Sequence, residues 1–486
     1  KGALTALLLV LCGNVAKAQT YQYQSFDASK NYTKILIDAK INDFAGNTKP
    51  MGFGSYNSET DVIIQPQWKT DISNGSNRDL AMDYVAGLVA KACIEAADYY
   101  KDFTWSKPWF KLVENYATKV TVPTTGASLD DLNASKMYFA LAELTKTGAK
   151  YENSTTYNKA ISELKNALKG LKAVNDNYSI RSGSTVNYSS GNNTCELVDA
   201  KGNKLSPATS GMNAIGGWYH KATYPNEMWC DSEYMGPALL AQLVAYAANN
   251  TSAGIGTITG STEGDWKLIA KQFDITWNYL WNSTDKLLYH GFSATPTAVG
   301  AHTYTWATGK NGTNKDYWGR AIGWYFLALV DVLENMPDNI TDDSYTSTQD
   351  NLISRNANIK TRLKSYLTDL AEGIWEQRKD NYLWTNVINE PVDTEHNSYS
   401  TTSAVIQKNT KNYLEASASA IYIATYLKAM RLGLLSSDTY KSGIETAYQN
   451  YISNFITTDN NIINTCASAG LGGGNVNISS ASSDYN

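Results

Sequence analysis

Histidine and cysteine are scarce in this chain, at four and five of 486 residues. Cys12, Cys93, Cys195, Cys230 and Cys466 lie too far apart for a disulfide framework or a zinc site, so they read as packing residues. Charge is sparse too. Asp, Glu, Lys and Arg together make up 18% of the chain, with a net charge of -5, which argues against a nucleic-acid partner. No glycine-rich phosphate loop, serine nucleophile elbow or metal-ligand spacing is found, so neither a cofactor nor a metal is expected. The apolar run from Ala3 to Leu11 is shorter than the ~20 residues that span a membrane. With Lys1 before it and Ala16-Lys17-Ala18 after it, residues 1–18 read as an export signal. The expectation is an exported bacterial protein, periplasmic or extracellular, working as a monomer without a membrane anchor.

Aromatic residues are what the chain has in quantity. Thirteen Trp and 33 Tyr accompany a polarity supplied largely by Asn, Ser and Thr. Such a composition suits a surface that stacks on sugars, and equally an aromatic core.

Two helical patterns alternate along the chain. One carries a narrow apolar stripe with charges opposite, as in Tyr157, Ile161, Leu164, Leu168 and Leu171, and marks a helix packed on one side. Similar stripes fall at 34–44, 107–119, 264–281, 359–374 and 437–455. The other pattern is apolar or small nearly all round, as in AIGWYFLALVDVL at 321–333, and marks a helix enclosed by protein. It recurs at 79–100, 131–146, 231–249 and 412–432. One-sided and enclosed helices in strict turn predict an all-α (α/α)6 barrel, a six-hairpin toroid, as one domain over 19–486. The last inner helix is expected to be missing, because the chain closes on the loop-like AGLGGGNVNISSASSDYN. Residues 182–210, 250–263 and 337–352 read as long loops.

In such a ring the inner helices run the same way and their N-terminal ends share one mouth. Asp83, Asp130, Asp231, Trp318, Arg320 and Asn412 to Glu415 all fall at these ends. Aligned helix N-termini carry partial positive charge and favour an anionic ligand. Capping accounts for Asp130 or Asp231 taken singly. It does not account for the aromatic and histidine neighbours. Asp231 follows Trp229 at the start of an enclosed helix, where an ionised carboxylate is costly without a purpose; general acid/base chemistry on a sugar supplies one. His220 and His290 lie in aromatic segments leading to the same rim, whereas His302 and His396 sit in polar loops. Trp229 and Trp318 offer flat faces at helix openings, Trp324 belongs to the core, and the Arg320 fork suits a carboxylate or a neighbouring helix end.

These residues stand in SLDDL around Asp130, GGWYHK around His220, YPNEMWCDSEYM around Asp231 and LLYHGF around His290, followed by YWGRAIGWYFLALVDVLENMP from Tyr317 and NYLEASASAIYIATYLKAMRLG from Asn412. Together and in this order, from about residue 65 onward, they resemble the unsaturated rhamnogalacturonyl hydrolases of glycoside hydrolase family 105, relatives of the family 88 unsaturated glucuronyl hydrolases. The resemblance implies an (α/α)6 barrel that hydrates the C4=C5 double bond of a terminal unsaturated galacturonate on a pectin oligosaccharide. It makes Asp231 the residue that protonates C4 and activates water. By the same matching, Asp130 and His220 hold substrate and tune Asp231, and Trp229, His290, Trp318 and Arg320 shape the subsite. The polar insert at 391–411 is longer than the family usually carries.

Three other readings stay open on the sequence. One is an unsaturated glucuronyl hydrolase acting on glycosaminoglycan or algal oligosaccharides. Another is an inverting glycosidase using Asp130 as base, and the third is a helical glycan-binding protein without turnover.

Overall fold

The expected helices form close to their expected bounds, except that 131–146 and 231–249 are each divided in two and the helix expected from 412 starts later. In the computed structural model, the residues described are 21–45, 55–57, 62–64, 82, 84–180, 214–294, 312–314, 316–342, 357–392, 412–466 and 471. Residues 1–18, Asp83, Cys195, His302, His396 and most of the 391–411 insert lie outside them.

In chain order the helices are α1 (Tyr32–Ala45), α2 (Tyr84–Tyr99), α3 (Lys107–Lys119), α4 (Leu129–Asn133), α5 (Met137–Thr145), α6 (Ser154–Asn177), α7 (Cys230–Met235) and α8 (Pro237–Asn249). They continue as α9 (Thr262–Leu280), α10 (Gly319–Asn335), α11 (Ile359–Glu376), α12 (Ala416–Arg431) and α13 (Ser437–Phe455). The inner elements are α2, α4–α5, α7–α8, α10 and α12, and successive ones pack side by side. α3, α6, α9, α11 and α13 each pack as the outer arm of a hairpin, and the aspartate of α1 at Asp38 accepts a 2.8 Å bond from Trp109 of α3. The all-helical toroid is thus the observed architecture. Five inner elements stand among the described residues; the closing AGLGGGNVNISSASSDYN, on which the expectation of a missing sixth rests, lies outside them apart from Leu471.

Local chemistry explains both the bounds and the exceptions. Asn153, Ser261, Asn358 and Ser436 cap the outer helices α6, α9, α11 and α13 by accepting backbone N–H bonds. The segment expected as one helix over 231–249 is two, because Pro237 has no N–H to give the preceding turn and starts α8 afresh. The helix expected from 412 begins at Ala416, since 412–415 is drawn out into extended pairing with 384–387. Inner helices approach closely at Gly87, where a Cβ would lie 2.3 Å from Ala134 Cα. Trp324, expected in the core, is buried and stacks on Tyr234 at 4.7 Å.

Two buried charge clusters tie the ring together. Asp274 of α9 takes a two-pronged bond from Arg362 of α11, at 3.0 and 2.9 Å, and a third from Tyr366. Towards the C-terminal ends of the inner helices, Lys428 pairs with Asp331 at 2.6 Å. Beside them, Lys136 donates to the Tyr234 carbonyl, also at 2.6 Å.

Strands are few and short. β1 (Ser55–Asn57) pairs antiparallel with β2 (Val62–Ile64), and β4 (Trp281–Asn282) with β5 (Leu287–Leu288). The pairing of β3 (Glu227–Trp229) with β6 (Gly291–Ser293), in the register Met228↔Phe292, shapes the mouth.

Candidate active site

Two stretches of backbone pairing assemble the site. In the first, Leu129 N–H donates to His220 O at 3.1 Å and Ala222 N–H to Ala127 O at 2.8 Å, which sets the start of α4 against the GGWYHK segment. Asp130 therefore meets two nitrogen partners: His220 Nε2 lies 3.3 Å from Oδ1 and Lys221 Nζ lies 2.8 Å from Oδ2. In the second, β3 pairs with β6 and Cys230 N–H donates to His290 O at 2.9 Å. Asp231, the second residue of α7, is thereby held with Oδ2 3.3 Å from His290 Nε2.

Trp229 joins the two pairs. Its indole stacks on His220 at 4.3 Å with a 13° angle between planes, and meets His290 at 5.4 Å and 64°. His290 in turn lies 4.8 Å from the Trp318 ring, and the Arg320 guanidinium sits 4.6 Å over that ring. All seven residues singled out in the sequence thus form one connected chain around the mouth. Neither aspartate is a helix cap: the cap positions are Ser128 and Trp229.

Burial differentiates the members. The Asp231 and Asp130 side chains are 11% and 12% exposed, and the Asp231 oxygen facing His290, Oδ2, is itself buried. Trp229 is half-buried and Tyr224 stacks on it at 5.5 Å. Trp318 is only 3% exposed, with its Nε1 donating to Asn386 at 3.0 Å. It holds its neighbours and does not present an open face. Arg320 is buried as well, and its Nη1 donates to Ser417 Oγ at 3.2 Å and to the Cys466 carbonyl. The same residue is held through its other backbone group, as Cys466 N–H donates to Glu415 Oε1 at 2.8 Å. Through Ser417, in the first turn of α12, the guanidinium serves the neighbouring helix end that the sequence offered as the alternative to a ligand carboxylate.

The electrostatics divide the labour. Burial by itself would raise the Asp130 carboxyl, yet His220 and Lys221 outweigh it and hold that group well below the ordinary range. Lys221 is raised in return, burial being overcome by Asp130. Two further carboxyls go the opposite way. Glu227 is pushed up to about 7 by burial, against a bond from Trp229 and the nearby His220. Glu233 is pushed up to about 8 by burial, against its bond from Thr276. No group of three or more His, Cys, Asp or Glu set to hold a metal occurs among the described residues.

Lys221, Ser232, Glu227 and the Glu415–Cys466 contact were not foreseen as parts of the site. Lys221 adjoins His220, and Ser232 Oγ lies 3.1 Å from His220 Nδ1. Glu227 carried a readable signal, since residues two apart on a strand share a face and Trp229 is two positions on.

Comparisons with known proteins bear on the family and the fold. The family model of glycosyl hydrolase family 88 matches residues 207–407 and 366–485. A glycoside hydrolase from family 105 of C. acetobutylicum superposes with a TM-score of 0.54 at 23% identity, covering 81% of this chain and 84% of that one. A Klebsiella pneumoniae protein described as a possible member of family 105 gives 0.52 at 15% identity, covering 95% and 91%. Protein Atu3128 of Agrobacterium fabrum is 28% identical over 144 residues, 30% of this chain and 47% of that protein. The chain thus spans about half the length of the curated relatives it matches.

Proposed function

The chain belongs to glycosyl hydrolase family 88, and from that membership and the geometry of the mouth we propose that it removes a terminal 4,5-unsaturated galacturonate from rhamnogalacturonan oligosaccharides. Asp231 gives its proton to C4 of the enol ether and takes one from the water that adds at C5. The resulting hemiketal opens, and the linkage to the next sugar collapses without attack at the anomeric carbon.

The observation that carries the reading is the contrast between the two aspartates. Asp130 is tied to Lys221 at 2.8 Å and to His220, held well below the ordinary carboxylate range, and so keeps no proton to donate near neutral pH. Its place is to orient His220 and the ligand. Asp231, which has no lysine beside it among the described residues and is backed by His290 at 3.3 Å, is left as the proton shuttle. A single shuttle suits hydration of a double bond better than the paired carboxylates of ordinary glycosidases. Trp229 supplies an aromatic wall for the sugar ring.

The test is incubation with an unsaturated rhamnogalacturonan disaccharide, followed by the ultraviolet absorbance of the conjugated double bond. Loss of absorbance with release of the rhamnose-containing product supports the reading. Loss only with chondroitin-derived disaccharides moves the substrate to glucuronides, and binding without any loss overturns the hydrolase assignment. Export, resting on residues 1–18, belongs to the same proposal and is checked by fractionation of cells making the whole protein.

A further inference from the structure

We propose that Glu227 is a positioning residue of this site, fixing the plane of the Trp229 indole and, through it, the relation between the Asp130–His220 and Asp231–His290 pairs. Only the kinetic arm of the test below rests on the functional reading above.

The backbone around Glu227 is held on both sides. It pairs with Ser293 of β6, His220 N–H donates to its carbonyl at 3.2 Å, and its own N–H donates to Tyr224 O at 3.3 Å. What this leaves to the side chain is one bond: Trp229 Nε1 donates to Glu227 Oε2 at 2.9 Å, with Glu227 4% exposed. The indole so fixed lies flat on His220 and meets His290 at a steep angle. A rotation about the Trp229 side-chain bonds would lose one contact or both. Glu227 itself need not touch ligand for its loss to disturb both acid–imidazole pairs.

The bond has a built-in pH sense. The titratable groups around Glu227 are His220 on the adjoining segment, with Asp130 and Lys221 behind it, and Asp231 and His290 reached through the indole. From the facing strand comes Ser293, which does not titrate in this range. Burial raises the Glu227 carboxyl to about 7. Below that pH it holds a proton and accepts weakly. Above it, the charged carboxylate grips Nε1 more firmly.

The experiment compares wild type, Glu227→Gln and Glu227→Leu, each with and without Trp229→Phe, so that near-ultraviolet circular dichroism of Trp229 is obtained by difference. The expected result is a Trp229 signal that titrates with a midpoint near 7 in wild type, persists without that transition in Glu227→Gln, and collapses in Glu227→Leu. On the unsaturated uronide, Glu227→Leu should lower kcat by about tenfold with a smaller change in KM, and Gln should recover much of that loss. The same titration in Glu227→Gln as in wild type would overturn the proposal. So would a Leu variant that keeps both signal and kcat; if the Leu variant fails to fold, the Gln titration decides alone. If wild type itself leaves the double bond intact, the functional reading falls while the dichroism still decides the role of Glu227.

Discussion

Asp231 and His290 are brought to 3.3 Å by backbone, since Cys230 N–H bonds His290 O and β3 pairs with β6 in fixed register. Backbone pairing therefore sets the approach of these two residues, and side chains set the indole plane beside them. Replacing Asp231 by Asn is expected to leave the fold intact, to keep at least weak binding, and to lower turnover by about a thousandfold, within the range assigned to positioned acid/base groups. Absorbance of the unsaturated uronide alongside far-ultraviolet dichroism checks this. An Asn variant with near-normal turnover would remove Asp231 from the mechanism.

Lys221, a third exposed, forms an ion pair with the buried Asp130. Asp130 is depressed in the folded state, so its contribution to stability is present above the unfolded carboxylate range and is lost as pH falls through the folded value. Lys221→Met removes the ammonium group beside it. Acid unfolding should then begin at higher pH than in wild type, and KM for the anionic substrate should rise about tenfold. Both are read from a pH series of unfolding curves and initial rates.

Glu233 shows the opposite linkage. Its folded value is raised to about 8 by burial, so its contribution is intact below the ordinary glutamate range and fades as pH rises through about 8. Glu233→Gln keeps an oxygen for Thr276, which now donates to Glu233 Oε1 at 2.6 Å, and cannot ionise. Relative to wild type, it should gain stability between pH 5 and pH 9 by an amount on the order of several kcal/mol. Urea unfolding at the two pH values measures the difference, and parallel curves would refute it.

Arg320 reaches both Ser417 and the Cys466 carbonyl, while Glu415 takes the Cys466 N–H. Lysine lacks the planar fork that serves several acceptors at once. Arg320→Lys is expected to cost about 1–3 kcal/mol and to speed amide exchange at residues 464–466. Hydrogen exchange resolved by mass spectrometry tests this directly. Raised KM with unchanged exchange would instead assign the guanidinium to the ligand.

The toroid was legible in the chain because helix packing writes itself into periodicity. An inner helix such as 321–333 is enclosed by neighbours and must be apolar all round, while an outer one such as 359–374 needs only a stripe. Asp130 and Asp231 stood out as acidic groups at the starts of enclosed segments, and His220 and His290 as imidazoles beside aromatics in segments leading to the same rim. Helix breaks were less legible. Pro237 splits a segment whose apolar pattern runs straight through it, and 412–415 gives up helix for pairing with 384–387.

What the sequence determined by itself was the kind and order of the elements and the side chains gathered at one rim, because periodicity and helix-end position are local properties. Which imidazole serves which carboxylate was decided only in three dimensions, by ladders joining 127–129 to 220–222 and 227–229 to 291–293. The same is true of Trp318, which reads as an open face and is closed over by Asn386, His290 and Arg320. Hydrogen-bond register between distant segments depends on how whole helices pack, and no short stretch of sequence carries that information.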